Sequence, residues 1–143
     1  MKIAVASDHG GFELARAVKK HLEERKLSVL DLGTDSTESV DYPAYGQACA
    51  EAVASGRADL GIVCCGTGIG ISIAANKVKG IRCAVVTTPF MAEMAKRHNN
   101  ANVLALGGRV LLESDALDLV DIWLDTEFEG GRHQRRVDML DQM

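Results

Sequence analysis

The sequence predicts one α/β domain, in which a parallel sheet of about five strands is covered by helices on both faces. Short apolar runs alternate with longer amphipathic stretches from one end of the chain to the other, which is the pattern of successive βαβ units. The apolar runs are nearly continuous, as in strands buried on both faces. With 143 residues the chain has the size of one domain. We therefore expect residues 1–143 to form a single three-layer α/β/α, doubly wound (Rossmann-like) domain with a C-terminal helical tail.

The first half of the chain carries two strand–helix units. The predicted elements are, in order, a strand at 3–7, a helix at 12–26, a strand at 28–33, a polar loop at 34–43 and a helix at 44–56. Leu14, Val18 and Leu22 recur at helical spacing in the first helix, with charged residues on its remaining face. Pro43 can open the second helix, because the first turn does not need its missing N–H.

The second half repeats this alternation. The predicted elements are a strand at 58–65, a helix at 68–80, a strand at 81–87, a helix at 89–99, a strand at 101–108, a helix at 113–128 and a charged helical tail at 130–143. Ser114 or Asp115 is the expected N-cap of the helix at 113–128, because both side chains accept backbone N–H bonds well.

Charge and hydropathy exclude two classes of partner. The net charge is −4, whereas general binding to a nucleic-acid backbone requires an excess of cations. No apolar run reaches the length of a membrane span, and the chain begins with a strand pattern where a signal peptide would begin with a charged and then apolar segment. The expectation is a cytoplasmic protein that binds neither nucleic acid nor membrane.

The cysteine pattern favours free thiols. The four cysteines are Cys49, Cys64, Cys65 and Cys83, and no C-x-x-C or paired Cys/His spacing accompanies them, so a structural zinc site is not indicated. Cys64 and Cys65 are adjacent in a predicted strand and should point to opposite faces of the sheet. We therefore predict neither a disulfide framework nor a chelating pair.

Polar residues follow the predicted strands repeatedly, where ligands of doubly wound sheets bind. Asp8 and His9 follow the first strand, Cys65 closes the third and Arg109 follows the fifth. The segment 98–100, His-Asn-Asn, follows a helix and is grouped with them as part of the same edge. This accumulation predicts a ligand site at the carboxyl edge of the sheet.

The glycine loop after the third strand is suited to an anion. In "CGTGIG", residues 65–70, glycines let backbone N–H groups converge, and the following helix N-terminus adds a partial positive charge. Its position and spacing disfavour a dinucleotide fingerprint, and no Gly-Lys-Ser/Thr follows as in a Walker loop. The same amides favour the thiolate of Cys65. Cys65 is therefore either a reactive thiol or a core residue, and Cys64, one residue inside the strand, is expected to be core.

Two arginines in the first half of the predicted tail suit a phosphate. Arg132 and Arg136 are four residues apart, on one face of a helix. Their alternative role is a solvated basic helix end. His98 could likewise be an ordinary helix C-terminal residue, and His9 a turn residue. Taken together with Arg109, these residues indicate a sugar-phosphate site.

Five segments together resemble one family. They are "SDHGGFELA", "VDYP", "CGTGIGISIAANK", "RHNNANVLALGGR" and "GGRHQRRV". Over residues 3–138 the chain resembles the ribose-5-phosphate isomerase B family, which also contains the galactose-6-phosphate isomerase subunits. One departure is Cys64, which stands where the family usually has an aliphatic residue.

The resemblance implies a role for each matching position. Cys65 corresponds to the base that moves a proton between C2 and C1 of the open-chain sugar. His98 corresponds to the histidine that opens the furanose ring, assisted by Asp8. Thr67 and the backbone amides of the loop correspond to the groups that hold the enediolate oxygens, the loop residues being Gly66, Gly68, Ile69 and Gly70. The remaining positions bind substrate: Asn99 and Tyr42 at the sugar, and His9, Arg109, Arg132 and Arg136 at the phosphate.

The resemblance also implies an enzyme of carbohydrate metabolism that needs no cofactor and no metal, and that forms homodimers or dimers of dimers with active sites shared between subunits. Ribose 5-phosphate is the expected substrate. Galactose 6-phosphate, allose 6-phosphate or a tetrose 4-phosphate is the alternative. Two other classes stay open: a non-catalytic phosphosugar- or nucleotide-binding module, and a thiol redox protein that would use Cys64 and Cys65 together.

Overall fold

The computed structural model describes all 143 residues and has the predicted fold. Its five strands are β1 Lys2–Ser7, β2 Ser28–Asp31, β3 Leu60–Cys65, β4 Cys83–Val85 and β5 Val103–Gly107. Its six α-helices are α1 Phe12–Glu24, α2 Tyr42–Ala54, α3 Ile69–Asn76, α4 Pro89–Arg97, α5 Glu113–Asp125 and α6 Arg132–Asp141. A single 3₁₀ turn, His9–Gly11, joins β1 to α1.

All strand pairs of the sheet are parallel, and the strand order is β2-β1-β3-β5-β4. The chain moves from β1 outward to β2 and then crosses to β3 on the other side of β1. The switch point of the sheet therefore lies between β1 and β3, and a crevice forms beyond their carboxyl ends. Asp8 and Cys65 are the residues at these two ends.

Apolar side chains alternate between two cores, one on each face of the sheet. Cys64 lies with Ile62 in the larger core, against α1, α4 and α5. The largest fully buried side chain of this core is Trp123. Cys65 lies with Val63 in the smaller core, against α2 and α3. The two adjacent thiols thus point to opposite faces, as predicted, and all four cysteines are free.

The predicted start of α2 and the predicted end of α3 differ from the structure. α2 begins at Tyr42, two residues early, and Pro43 lies within its first turn. α3 ends at Asn76 and does not reach Gly80, because the Asn76 side chain pairs with the backbone of Cys83, accepting from its N–H at 2.8 Å and donating to its carbonyl at 2.9 Å.

The predicted cap of α5 is wrong. The helix begins at Glu113, before Ser114 and Asp115, and Leu112 occupies the N-cap position without a side-chain bond. Glu113 and Asp115 instead lie in the first turn, where their negative charge favours the helix N-terminus. None of the six helices combines the length and the apolar character that crossing a membrane requires.

Candidate active site

The carboxyl ends of β1, β3 and β5 are tied together by backbone hydrogen bonds. The N–H of Asp8 donates to the carbonyl of Cys64 at 3.3 Å. The N–H groups of Gly108 and Arg109 donate to the carbonyls of Cys65 and Gly66, each at 2.9 Å. Asp8, Cys65 and Arg109, which lie at or just beyond the carboxyl ends of three neighbouring strands, are therefore held close together.

Cys65 lies at the mouth of the glycine loop with its sulfur facing a backbone donor. The Sγ atom accepts a hydrogen bond from the N–H of Gly68 at 3.1 Å. Gly68 has φ +82°, a left-handed conformation that glycine adopts without strain. That conformation places its N–H over the sulfur at the start of α3. A thiolate at Cys65 thus receives stabilisation from an amide donor and from a helix N-terminus.

The other three thiols lie in apolar surroundings. Burial raises the pKa of Cys49 to about 12. Burial also raises the pKa of Cys64 and of Cys83 well above the usual range for a thiol. These cysteines remain protonated at neutral pH, and Cys64 is fully buried. The expectation that Cys64 is a core residue is confirmed.

Thr67, Gly70 and Tyr42 complete the loop side of the site. Thr67 is exposed, and its Oγ1 atom accepts from the N–H of Ile69 at 3.1 Å. The Tyr42 ring packs directly on Gly70, so closely that a Cβ added there would lie 2.7 Å from the ring. Tyr42 at the start of α2 is thereby brought to the glycine loop at the start of α3.

Asp8, His9 and Arg109 border the same loop. Asp8 is buried, and its Oδ1 atom accepts from the N–H of Gly11 at 3.1 Å. The Nδ1 atom of His9 accepts from the N–H of Val40 at 3.1 Å, so a neutral His9 carries its proton on Nε2. The Arg109 guanidinium lies against Gly66, where an added Cβ would be 3.1 Å from Nη1.

His98 and Asn99 lie at the opposite edge of the sheet, contrary to their assignment to the carboxyl edge. They follow α4, which runs back from the carboxyl end of β4 toward the amino end of β5. Five residues of β5 separate the two edges, a length of about 16 Å. The error came from counting a residue after a helix together with residues after strands.

The arginines of α6 belong with His98 and Asn99, and not with the residues around Cys65. The turn before α6 is fixed by the N–H of Glu129, which donates to the carbonyl of Arg97 at 2.9 Å. On α6, His133 stacks on His98, with the ring centroids 4.2 Å apart and the planes at 9°. Arg132 and Arg136 flank His133 on this helix and are exposed. The predicted site residues of one chain thus form two separate groups.

His133 and Glu129 are site candidates that the sequence reasoning missed. Glu129 carboxylate oxygens lie 3.6 Å from His133 Nε2 and 3.9 Å from His98 Nε2. Burial lowers the pKa of His133, and neighbouring His98 acts in the same direction while Glu129 opposes it. The signal was present in the sequence, because His133 lies between the two arginines that were selected.

His98, Glu129 and His133 form a cluster of side chains that could each offer one ligand atom to a metal ion. The candidate ligand atoms of His98, Glu129 and His133 all lie within 4.8 Å of one another. A zinc ion needs nitrogen and oxygen lone pairs that converge on one point at about 2.0–2.2 Å. The two imidazole planes are almost parallel, so their lone pairs do not converge. The arrangement therefore lacks the convergent geometry of a zinc site.

The comparisons with known proteins point to one family. Residues 3–140 match the family model described as Ribose/Galactose Isomerase. The chain is 50% identical to ribose-5-phosphate isomerase B of Escherichia coli, over 97% of this chain and 93% of that protein.

Two solved structures share the fold throughout. Ribose-5-phosphate isomerase B of Clostridium thermocellum superposes with a TM-score of 0.98 and is 56% identical, covering 99% of this chain and 96% of that one. The Mycoplasma genitalium enzyme with bound ribulose-5-phosphate has a TM-score of 0.94 and 42% identity, covering 99% of this chain and 94% of that one. The chain therefore belongs to the ribose/galactose isomerase family.

Proposed function

We propose that this protein interconverts ribose 5-phosphate and ribulose 5-phosphate through an enediolate, with Cys65 as the base. The hydrogen bond from the Gly68 N–H to Cys65 Sγ, at 3.1 Å, is the observation that carries the proposal. It places a backbone donor on the sulfur, beside a loop of further backbone N–H groups. In the aldose-to-ketose direction, the thiolate takes the proton from C2 of the open-chain aldehyde and returns it to C1, while a hydroxyl proton passes from O2 to O1.

The intermediate of this reaction carries negative charge on the oxygens at C1 and C2. Backbone N–H groups fixed before the reaction stabilise such charge without having to reorganise. The loop from Gly66 to Gly70 and the hydroxyl of the exposed Thr67 lie next to the thiol, which supports this role. The reaction moves one carbon-bound proton and one hydroxyl proton and needs no electron acceptor, and the thiolate serves as the general base for the carbon-bound proton.

The ring-opening and phosphate-binding roles follow the family resemblance. We assign ring opening to His98 with Asp8. We assign sugar contacts to Asn99 and Tyr42. We assign phosphate contacts to the imidazole of His9 and to the guanidinium groups of Arg109, Arg132 and Arg136. A phosphate held at a distance from the reacting carbons orients the sugar, which lowers the barrier by removing rotational and translational freedom before reaction.

These assignments require a second copy of the chain. Within one chain, Cys65 and His98 lie at opposite edges of the sheet. A two-fold dimer brings the Cys65 edge of one copy against the His98 edge of the other, twice per dimer. Ile69 and Ile73, each 55% exposed on α3 beside the glycine loop, provide apolar surface for such a contact. We therefore propose a homodimer, alone or paired into a dimer of dimers, with two composite sites in each dimer.

Two relatives favour the pentose substrate. The Escherichia coli protein of 50% identity is named ribose-5-phosphate isomerase B, and the Mycoplasma genitalium structure contains ribulose-5-phosphate. The alternatives within the same chemistry are galactose 6-phosphate, allose 6-phosphate and tetrose 4-phosphates, since the length of the sugar is determined by pocket depth.

The test is an isomerase assay with a substrate panel. Metal-free protein is given ribose 5-phosphate, allose 6-phosphate, galactose 6-phosphate and erythrose 4-phosphate in parallel, and kcat/KM is compared. The highest value is expected for ribose 5-phosphate. A higher value for a hexose or tetrose phosphate would transfer the proposal to that sugar. Inactivity on all four, with retained phosphosugar binding, would instead indicate a binding module.

A further inference from the structure

The Arg82 side chain connects two segments that carry predicted site residues. Arg82 precedes β4, and its side chain is only 15% exposed. Its Nη1 atom donates to both carboxylate oxygens of Asp141, at 2.7 and 2.9 Å. Its Nε atom donates to the carbonyls of Asn99 at 3.1 Å and Asn100 at 3.3 Å, and Nη2 donates to the carbonyl of Asn100 at 3.0 Å. One guanidinium therefore joins the turn after α4 to the last turn of α6.

Each of these contacts has a clear physical cause. The turn after α4 presents carbonyls with no helical partner, and a cation is favoured near a helix C-terminus. Asn100 has φ +45°, a left-handed conformation that ends the helix. Asp141 supplies the opposite charge at the end of α6. A planar guanidinium satisfies groups in these different directions, which a lysine ammonium on a flexible chain does not.

The backbone at Arg82 is itself fixed. The N–H of Arg82 donates to Oδ1 of Asn102 at 2.8 Å, and the Asn102 amide donates to the carbonyl of Gly80 at 2.9 Å. The guanidinium is thus anchored to the start of β4, and β4 pairs with β5 in the sheet. α6 has few other attachments to the body of the protein: the His98–His133 stack and the buried Val137 lie on its inner face.

We propose that Arg82 is a positioning residue that holds the ring-opening His98 and the phosphate-binding helix α6 in one fixed geometry. This inference rests on the proposed function, because it concerns the same site. Arg82 acts through its neighbours: it binds the backbone on one side of His98 and the C-terminal end of the helix that carries Arg132 and Arg136. The distance between the ring-opening group and the phosphate anchor has to match the length of the sugar, and a displacement of about 1 Å can reduce the rate by 10²-fold.

Substitution of Arg82 should change both kcat and KM, a pattern that a simple loss of folded protein does not produce. A smaller active fraction lowers kcat and leaves KM unchanged. Loss of the guanidinium contacts should raise KM, through α6, and also lower kcat, through His98. Arg82→Lys should show the same pattern as Arg82→Gln to a smaller degree. Asp141→Asn should raise KM with a smaller effect on kcat, because it weakens only the contact with α6.

The experiment measures kcat and KM for ribose 5-phosphate and, independently of turnover, the affinity for inorganic phosphate by calorimetry. The proteins are the wild type, Arg82→Gln, Arg82→Lys, Asp141→Asn, Arg132→Ala and the double variant Arg82→Gln/Arg132→Ala. Arg25→Gln is the matched control, since Arg25 also joins two helices through aspartates, Asp121 and Asp125 at 2.7 Å each, but contacts no predicted site residue. Sedimentation establishes that each variant keeps the oligomeric state of the wild type.

The expected result for Arg82→Gln is a KM raised about tenfold or more, a lowered kcat and a weaker phosphate affinity. In the double variant, the loss of phosphate affinity should be smaller than the sum of the two single losses, because both substitutions act on the same helix. Arg25→Gln should behave as the wild type. If KM and phosphate affinity are unchanged in both Arg82 variants, the inference about Arg82 is wrong. The proposed function still stands in that case, provided that the wild type is active on ribose 5-phosphate. A wild type inactive on ribose 5-phosphate would overturn the proposed function, and the phosphate affinities would then decide alone whether Arg82 positions the anion site.

Discussion

The backbone N–H of Gly68 donates a hydrogen bond to the sulfur of Cys65 over 3.1 Å. This contact depends on the left-handed φ of +82° at Gly68 and on the absence of a side chain there. It distinguishes Cys65 from Cys64, which is fully buried on the other face of the sheet with no such donor. Only one sulfur of the Cys-Cys pair therefore has a backbone donor, and this is the sulfur that we propose as the base.

Replacement of Cys65 by alanine should lower kcat for ribose 5-phosphate by about 10²–10⁴-fold, because the reaction loses its general base. Cys64→Ala is the matched control: it removes the adjacent sulfur from the core and should cost about 1 kcal/mol of unfolding free energy with kcat preserved. Steady-state assays and urea denaturation measure the two effects. Equal activity of Cys65→Ala and Cys64→Ala would contradict the assignment of the base.

Gly68→Ala should lower both stability and kcat. A left-handed alanine costs about 1–2 kcal/mol, and the added Cβ would lie 2.9 Å from the carbonyl carbon of Leu106, so the backbone would have to shift at a further cost of about 1–3 kcal/mol. Gly80→Ala is the control, since Gly80 has φ +86° and nothing within 4 Å. Gly80→Ala should lower the free energy of unfolding only by the cost of the left-handed conformation, and it should leave kcat unchanged. A Gly68→Ala protein with wild-type kcat would argue that the Gly68–Cys65 contact has no catalytic role.

His133 should make stability depend on pH in the mildly acidic range. Its pKa in the folded protein is below the ordinary value of 6.5, so between those two values the unfolded chain binds more protons than the native state. The contribution of His133 to the free energy of unfolding should therefore be fully present above pH 6.5 and should be lost as the pH falls through this range. Urea denaturation of the wild type and of His133→Gln at several pH values measures the effect, and identical pH profiles would show that His133 does not contribute.

Arg132→Ala and Arg136→Ala should each raise KM by roughly tenfold to a hundredfold, because a charge-assisted bond to phosphate is lost. The effect on kcat should be smaller, since the phosphate is bound equally in the ground and transition states. Arg135→Ala on the same helix removes the same charge and should change KM little. If all three variants raise KM alike, the helix acts through its net charge and not through specific contacts.

Much of the fold follows from local patterns. The apolar runs at 58–65 and 101–108 contain the central strands β3 and β5, and the glycine loop with Cys65 lies at the carboxyl edge as predicted. The helix ends were less accurate. Propensity favours Ser114 or Asp115 as the cap of α5, whereas the helix begins at Glu113 with Leu112 in the N-cap position and no side-chain cap.

The division of the site into two groups does not follow from local sequence. Whether His98 lies near Cys65 depends on the direction in which α4 returns across the sheet, which is a property of the whole topology. The stack of His98 on His133 and the contacts of Arg82 with Asn100 and Asp141 join residues that are distant in the chain. Such long-range pairs leave no periodic signal in a single sequence.

Subunit complementation tests the composite site most directly. Cys65→Ala and His98→Asn are each expected to be nearly inactive as homodimers. In a mixed dimer, one site combines both defects and the other combines the intact Cys65 of one chain with the intact His98 of its partner.

Co-expression of the two variants in equal amounts should therefore restore isomerase activity to about one quarter of the wild-type value, because half of randomly paired dimers are mixed and each has one intact site. Separately purified variants that have not exchanged subunits should stay inactive. Restored activity in the co-expressed protein would support the shared site. Activity no higher than that of the single variants, in a preparation shown by mass spectrometry to contain mixed dimers, would contradict it.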